Sequence, residues 1–176
     1  MKHLSTQELE SGLDEIHRSP KDQGVLNLIV RRPETDAREV LTQGTLDIRQ
    51  GLMGDNWLTR GDRSRPDGSA NPEMQINIMN SRVIALVAGH PDRWPLAGDQ
   101  LYIDMDLSPK NLPPGTRLAI GSAILEVTPE PHTGCKKFVA RFGRDAMVFV
   151  NSGLGKKFNL RGINAKVIQT GTIRPN

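Results

Sequence analysis

Between Arg117 and Thr128 the sequence reads RLAIGSAILEVT. Two strand-like runs, Arg117–Ile120 and Ala123–Thr128, flank Gly121-Ser122. A two-residue connection that places glycine at the turn predicts a β-hairpin. Other runs of similar length have the same character. Val25-Leu26-Asn27-Leu28-Ile29-Val30 reads as a buried strand closed by Pro33. Glu39–Ile48 reads as a second strand, with Gly44 marking a bulge. Met74–Met79 alternates with Gln75 and Asn77 and predicts a third strand, and Leu101–Met105 a fourth. Ala165–Thr172 closes the chain as a last strand. Gly and Pro turns separate these runs, which points to a mainly β, barrel-like fold with short helices.

The helices are few. Ser5-Thr6-Gln7-Glu8 has the form of a capping box, and Leu9, Leu13 and Ile16 follow at helical spacing, predicting a helix over Thr6–His17. Ser19-Pro20 and Gly24 stop it. Residues 1–23 therefore form an N-terminal helix and linker packed on one domain, 24–176. Ser81–Ala88 supplies one or two helical turns. Thr133–Phe142 reads as helical, and Asp145–Val150 fits helix or strand. Gly153-Leu154-Gly155-Lys156-Lys157 reads as a turn.

A chain of 176 residues, 36% hydrophobic and 24% charged, suits a single globular core. No apolar run approaches the roughly 20 residues that span a bilayer, and the N-terminus has no signal-peptide core, so no membrane partner and a cytoplasmic location are expected. The net charge is only +3, but residues 136–161 hold seven Lys and Arg against Asp145 alone. Such a cluster is either an anion-binding surface or a solvated basic face. Nucleic acid is not the expected partner, because 4% aromatic content offers little to stack bases. Four scattered histidines and one cysteine do not make a structural zinc site, and no phosphate-cradling glycine motif is present.

The lone cysteine, Cys135, lies in EPHTGCKKFVARFG. Free cysteine is commonly a small buried filler. Here Thr133-Gly134 precedes it at a predicted helix start and Lys136 and Lys137 follow, an electropositive setting for sulfur. His132 stands three residues before it. A Cys–His hydrolase would need a third, orienting group, and none is evident in the sequence. The long polar segment Gly51–Pro72, with Arg60, Arg63 and Trp57, is either an ordered binding loop or disordered.

These stretches together resemble the MOSC family, named after the C-terminal domain of molybdenum cofactor sulfurase. The likeness rests on Gly51-Leu52-Met53-Gly54-Asp55, on Met74–Asn80, and on Ala97-Gly98-Asp99-Gln100-Leu101 with Gly115–Thr128. It continues through Gly134-Cys135-Lys136-Lys137-Phe138 and Arg161–Ile173. Three places depart from the family's pattern: Gly134 rather than Pro precedes the cysteine, Gly98-Asp99 stands for Gly-Glu, and Ser69-Ala70-Asn71-Pro72 replaces a His-Gly pair.

The resemblance implies a MOSC-type β-barrel and a role around molybdenum cofactor, with Cys135 as metal ligand. It implies reduction of small N-hydroxylated compounds, with electrons from a redox protein. His132 is the expected proton donor and Asp99 a second candidate. Thr133, Lys136, Lys137, Arg141 and Arg161 are expected to bind the cofactor, with Arg63, Gln75 and Asn111 as further candidates. The alternative is a non-catalytic carrier of cofactor, or of sulfur as a Cys135 persulfide, serving a cofactor-handling partner. Pyridoxal phosphate would enter only through a separate partner.

Overall fold

A computed structural model describes residues 3–176. The chain opens with α1 (Thr6–Ser11) and α2 (Leu13–His17). The capping box forms: Ser5 Oγ accepts from the Glu8 amide at 3.4 Å, and Glu8 Oε2 accepts from the Ser5 amide at 2.7 Å. The single helix predicted over Thr6–His17 is instead two, divided at Gly12. Leu9 and Ile16 are buried, and the Thr6 amide donates to Asp145 at 3.0 Å, which ties the N-terminus to the body.

Four strands follow: β1 (Val25–Arg31), β2 (Glu39–Leu41), β3 (Gly44–Asp47) and β4 (Gly51–Leu52). Then come α3 (Trp57–Arg60), β5 (Ile76–Asn80), α4 (Ser81–Ala88), β6 (Leu101–Asp104), β7 (Arg117–Ile120) and β8 (Ala123–Val127). The chain ends with α5 (Lys136–Phe142), α6 (Arg144–Asn151), α7 (Gly153–Lys157), β9 (Ile163–Gln169) and β10 (Gly171–Ile173). The mainly β architecture with short helices is the one expected. Seven strands form a mixed sheet in the order β2-β1-β6-β5-β9-β8-β7, and three form a second sheet, β10-β3-β4. Only the β5–β6 pair is parallel among these, because α4 and the following 3₁₀ segment provide the crossover.

Two expected strands are each broken in two. Glu39–Ile48 leaves the large sheet at Leu41 and enters the small one at Gly44. Gly44 is therefore no bulge; it begins a strand, where a Cβ would sit 3.0 Å from Leu52. Ala165–Thr172 likewise divides at Thr170, with Gly171–Ile173 pairing β3. These switches curl the two sheets around one interior, which explains why each apolar run is short.

Period-two alternation sorts the strand residues onto two cores. Ile29, Ile78, Leu101 and Leu125 meet Leu46, Leu52 and Ile173 of the small sheet inside the curl. On the outer face Val30, Met79 and Tyr102 pack under Leu9, Ile84, Phe138 and Phe149. Fully burying each such side chain contributes about 1.5–3 kcal/mol. Asp145–Val150, open between helix and strand in the sequence, is helical. Gly153–Lys157 is a helix rather than a turn, with Ser152 Oγ accepting from the Gly155 amide at 2.9 Å. No described helix is long and apolar enough to cross a membrane.

The β7–β8 hairpin forms as expected, and its turn seats on β10. The Ser122 amide donates to Thr172 O at 3.1 Å, and the Thr172 amide to Ser122 Oγ at 2.8 Å. Gly121 has φ +57°, and a Cβ there would lie 2.2 Å from Thr172 O. Gly121→Ala should therefore cost about 1–3 kcal/mol, read as a lower urea midpoint. An unchanged midpoint would show that the turn does not clamp the two sheets.

Candidate functional site

The site is organised by a strap, residues 129–134, that follows β8. Pro129 and Pro131 lack amide donors, so the strap is held mainly by its carbonyls. Asn164 Nδ2 on β9 donates to Glu130 O at 3.0 Å and to Pro131 O at 3.3 Å. At the far end the Gly134 amide donates to Asn151 Oδ1 at 2.8 Å, and Asn151 Nδ2 returns to Gly134 O at 3.1 Å. A cleft opens on each side of this strap, and Pro131, His132, Thr133 and Arg161 line both.

The first cleft has a volume of about 630 Å³. Its walls are the β1–β2 loop, α3 with the loop after it, and the start of α5. Seven Lys and Arg side chains line it against three carboxylates: Glu34, Asp36 and Asp62. Cys135 is exposed on this cleft, at the N-terminal end of α5, and its side chain makes no cap. The expected helix over Thr133–Phe142 starts only at Lys136, which leaves the cysteine in extended backbone. Cys135 is thus not a buried filler.

Beneath the strap lies a buried ionic cluster. Arg161 Nη1 donates to both oxygens of Asp99, at 2.9 and 2.8 Å, and Nη2 to Ala97 O at 3.1 Å. His132 Nε2 meets Asp99 Oδ1 at 2.7 Å. The Asp99 side chain is wholly inaccessible, and the Arg161 guanidinium lies 5.0 Å over the Phe138 ring. Burial opposes ionisation of Asp99, but Arg161 and His132 outweigh it and hold the carboxyl at about 2. Burial, with Arg161 alongside, pushes His132 below its usual value against the pull of Asp99. The imidazole is therefore neutral at pH 7. An ionised carboxylate only accepts, so Nε2 carries the proton and Nδ1 is an acceptor. Asp99 is anionic and fully engaged, so the proton-donor role anticipated for it does not fit. It is instead the third group that orients the histidine, a contact across 33 residues of sequence that local motifs do not reveal. Arg161 Nε is buried without a hydrogen-bond partner.

The other expected residues divide. Thr133, Lys137, Arg141 and Arg63 line the first cleft with Cys135 and His132. Lys137 Nζ and Arg141 Nη2 both contact Asp36 Oδ1 at 2.8 Å. The hydrogen bond from Lys137 holds the Asp36 carboxyl below the usual range. Lys136 is exposed at the start of α5 but is not part of the lining. Gln75 and Asn111 line neither cleft, and their side chains hold the fold. Gln75 Nε2 donates to Ile48 O at 2.9 Å and its Oε1 accepts from the Val167 amide at 2.7 Å. Asn111 Nδ2 donates to Lys21 O and Asp106 O at 2.9 and 2.8 Å.

Sequence reasoning missed Arg32 and Arg38. Arg32 is buried, forks onto Asp55 with two 2.9 Å bonds, and reaches Asn77 Oδ1 and Gly98 O at 2.8 Å. The available signal was Arg31-Arg32-Pro33, two cations at the end of an apolar strand.

No known family model matches the sequence, and no curated protein matches it. Solved structures do. The YuaD protein from Bacillus subtilis superposes with a TM-score of 0.60 over 87% of this chain and 92% of its own, at 18% identity. YiiM from Escherichia coli gives 0.53 over 85% and 65%, at 17% identity. YiiM from Geobacillus stearothermophilus gives 0.51 over 87% and 70%, at 12% identity. These likenesses establish the fold, which is the mainly β, MOSC-like one that the sequence implies.

The ionic cluster makes stability pH-dependent with a definite sign. Unfolded, Asp99 titrates near 3.8 and His132 near 6.5, and both values fall on folding. The unfolded chain therefore binds more protons, and stability declines as pH falls. The decline begins below about 6.5 through His132 and steepens below 3.8 as Asp99 approaches its folded value near 2. His132→Gln should flatten the first part of this profile in denaturation series between pH 5 and 7. Asp99→Asn strands the buried Arg161 charge and should cost about 3–5 kcal/mol. A variant as stable as wild type would contradict the cluster.

Proposed function

We propose that this chain is a MOSC-family protein whose first cleft holds molybdenum cofactor, with Cys135 as the protein ligand to the metal. The observation that carries this reading is the placement of the chain's only cysteine on a strongly cationic cleft of cofactor size. Ligand clefts commonly measure about 300–1,000 Å³. Among the described residues no three His, Cys, Asp or Glu side chains are placed to hold a metal ion together. A metal here would take one thiolate from the chain and its other donors from the cofactor. A soft thiolate suits molybdenum. Arg60 and Arg63 on one wall and Lys137 and Arg141 on the other would hold the cofactor's phosphate. Asp36 now engages the second pair, so an anion bound there competes with it.

Bound cofactor would supply a two-electron transfer, here to the N–O bond of a small N-hydroxylated compound, with electrons arriving from an external redox protein. The chain's own residues govern protons and orientation. As the N–O bond breaks, His132 Nδ1 passes a proton taken from solvent to the oxygen that leaves as water, and the nitrogen takes a second proton from solvent. Asp99 holds the tautomer and stabilises the transient imidazolium, while Arg161 keeps Asp99 ionised.

The exposure of Cys135 favours a second reading, sulfur carriage. A donor persulfide would place its terminal sulfur on the Cys135 thiolate, forming one S–S bond as the donor's S–S bond breaks and its thiolate leaves.

The test is molybdenum content of protein purified from a host that makes the cofactor, wild type beside Cys135→Ser. Near-stoichiometric metal in the wild type, lost in the variant, is expected. Metal absent from both would remove the ligand role, and a persulfide trapped on Cys135 would then support carriage.

A further inference from the structure

The second cleft differs in chemistry from the first although the two share a wall. Its volume is about 560 Å³. Leu112, Val127, Val150 and Ile163 line it together with four prolines. Its charged residues are only Glu130, Lys156 and Arg161. The polar groups common to both clefts are the strap residues His132 and Thr133, and Arg161. One of these has hydrogen-bonding capacity open to a ligand. His132 bonds Asp99 through Nε2, leaving Nδ1 as an acceptor, whereas Arg161 Nε, although without a partner, is buried out of a ligand's reach. An acceptor thus stands on the strap where a largely apolar chamber meets a cationic one.

We propose that the second cleft is a binding site for a neutral organic molecule whose polar end carries a hydrogen-bond donor. The apolar body lies against the prolines and Leu112, while the polar end meets His132 Nδ1. An anion is the wrong occupant, because burying its charge among these apolar groups is costly and the charged lining is sparse. The strap then divides the labour: an anionic group on one side, an uncharged organic group on the other, with His132 reachable from both. Calling this second ligand the substrate rests on the cofactor reading above; the binding itself does not. The pinned strap keeps the two chambers separate, since asparagine side chains hold it at Glu130, Pro131 and Gly134.

The test uses the full chain without cofactor and two probes. Benzamide is planar and uncharged, with an amide that donates and accepts; pyrophosphate is a polyanion. Backbone amide shifts of ¹⁵N-labelled wild-type protein report where each binds. Benzamide should shift Lys156, Asn159 and Gly162, and pyrophosphate should shift Arg60, Gly61 and Gly98. Pro114→Trp places bulk at an exposed position lining the second cleft only. It should weaken benzamide about tenfold or more and leave pyrophosphate unchanged. Benzamide shifts confined to the first cleft, or none up to its solubility limit, would overturn the proposal. So would unchanged benzamide affinity in a folded Pro114→Trp protein. Failure of pyrophosphate alone would count against the cofactor reading and leave the second cleft standing.

Discussion

The contact between Arg161 and Asp99 is the constraint around which the site is built. Two ions buried away from water are costly unless their geometry and remaining hydrogen bonds are satisfied together. Here three distant segments must meet to satisfy them: the start of β6, the strap and the entry to β9. Gly162, at φ +114°, brings that entry so close to β5 that a Cβ would lie 2.2 Å from Ile78 O. The cluster therefore specifies the site as much as it stabilises the protein, because any displaced segment leaves a charge uncompensated.

A polar seam extends the same logic across the sheet. Asn77 stands between Ile76 and Ile78 on a fully buried strand, where an apolar residue would be the default. Its Nδ2 donates to Asn164 Oδ1 at 2.6 Å, while its Oδ1 accepts from Arg32 at 2.8 Å. Asn164 in turn holds the strap, and Arg32 holds Asp55 at the head of α3. Opposite walls of the first cleft are thus joined by one chain of buried hydrogen bonds. Such chains have little tolerance for partial loss, since each freed group stays buried without a partner. The loops that wall the cleft are thus anchored to the sheet through buried hydrogen bonds.

Much of the fold was legible because it is local. The capping box at Ser5, the strand at Val25 and the Gly121-Ser122 hairpin depend on neighbours within a few residues. What escaped depends on distance. Nothing near Thr42 or Thr170 indicates that the chain changes sheets there; the reason is pairing between β3 and β10, far apart in sequence. The site divides in the same way. Cys135 and its basic neighbours were visible as a cluster in the sequence; Cys135 and Lys137 line the first cleft, whereas Lys136 does not. Gln75 and Asn111 are polar residues that sequence cannot distinguish from binders, yet their side chains are committed to backbone groups. Asp99, suggestive as an acid when read alone, is held ionised at neutral pH by Arg161 and His132.

The cluster presents a neutral histidine, protonated on Nε2, to the two clefts. The most direct measurement is ¹⁵N NMR of the His132 imidazole in the full chain across pH 5 to 8. An Nε2–H signal, an unprotonated Nδ1 at neutral pH and charging only below about 6.5 are expected. A His132 that is imidazolium at pH 7, or that carries its proton on Nδ1, would contradict this.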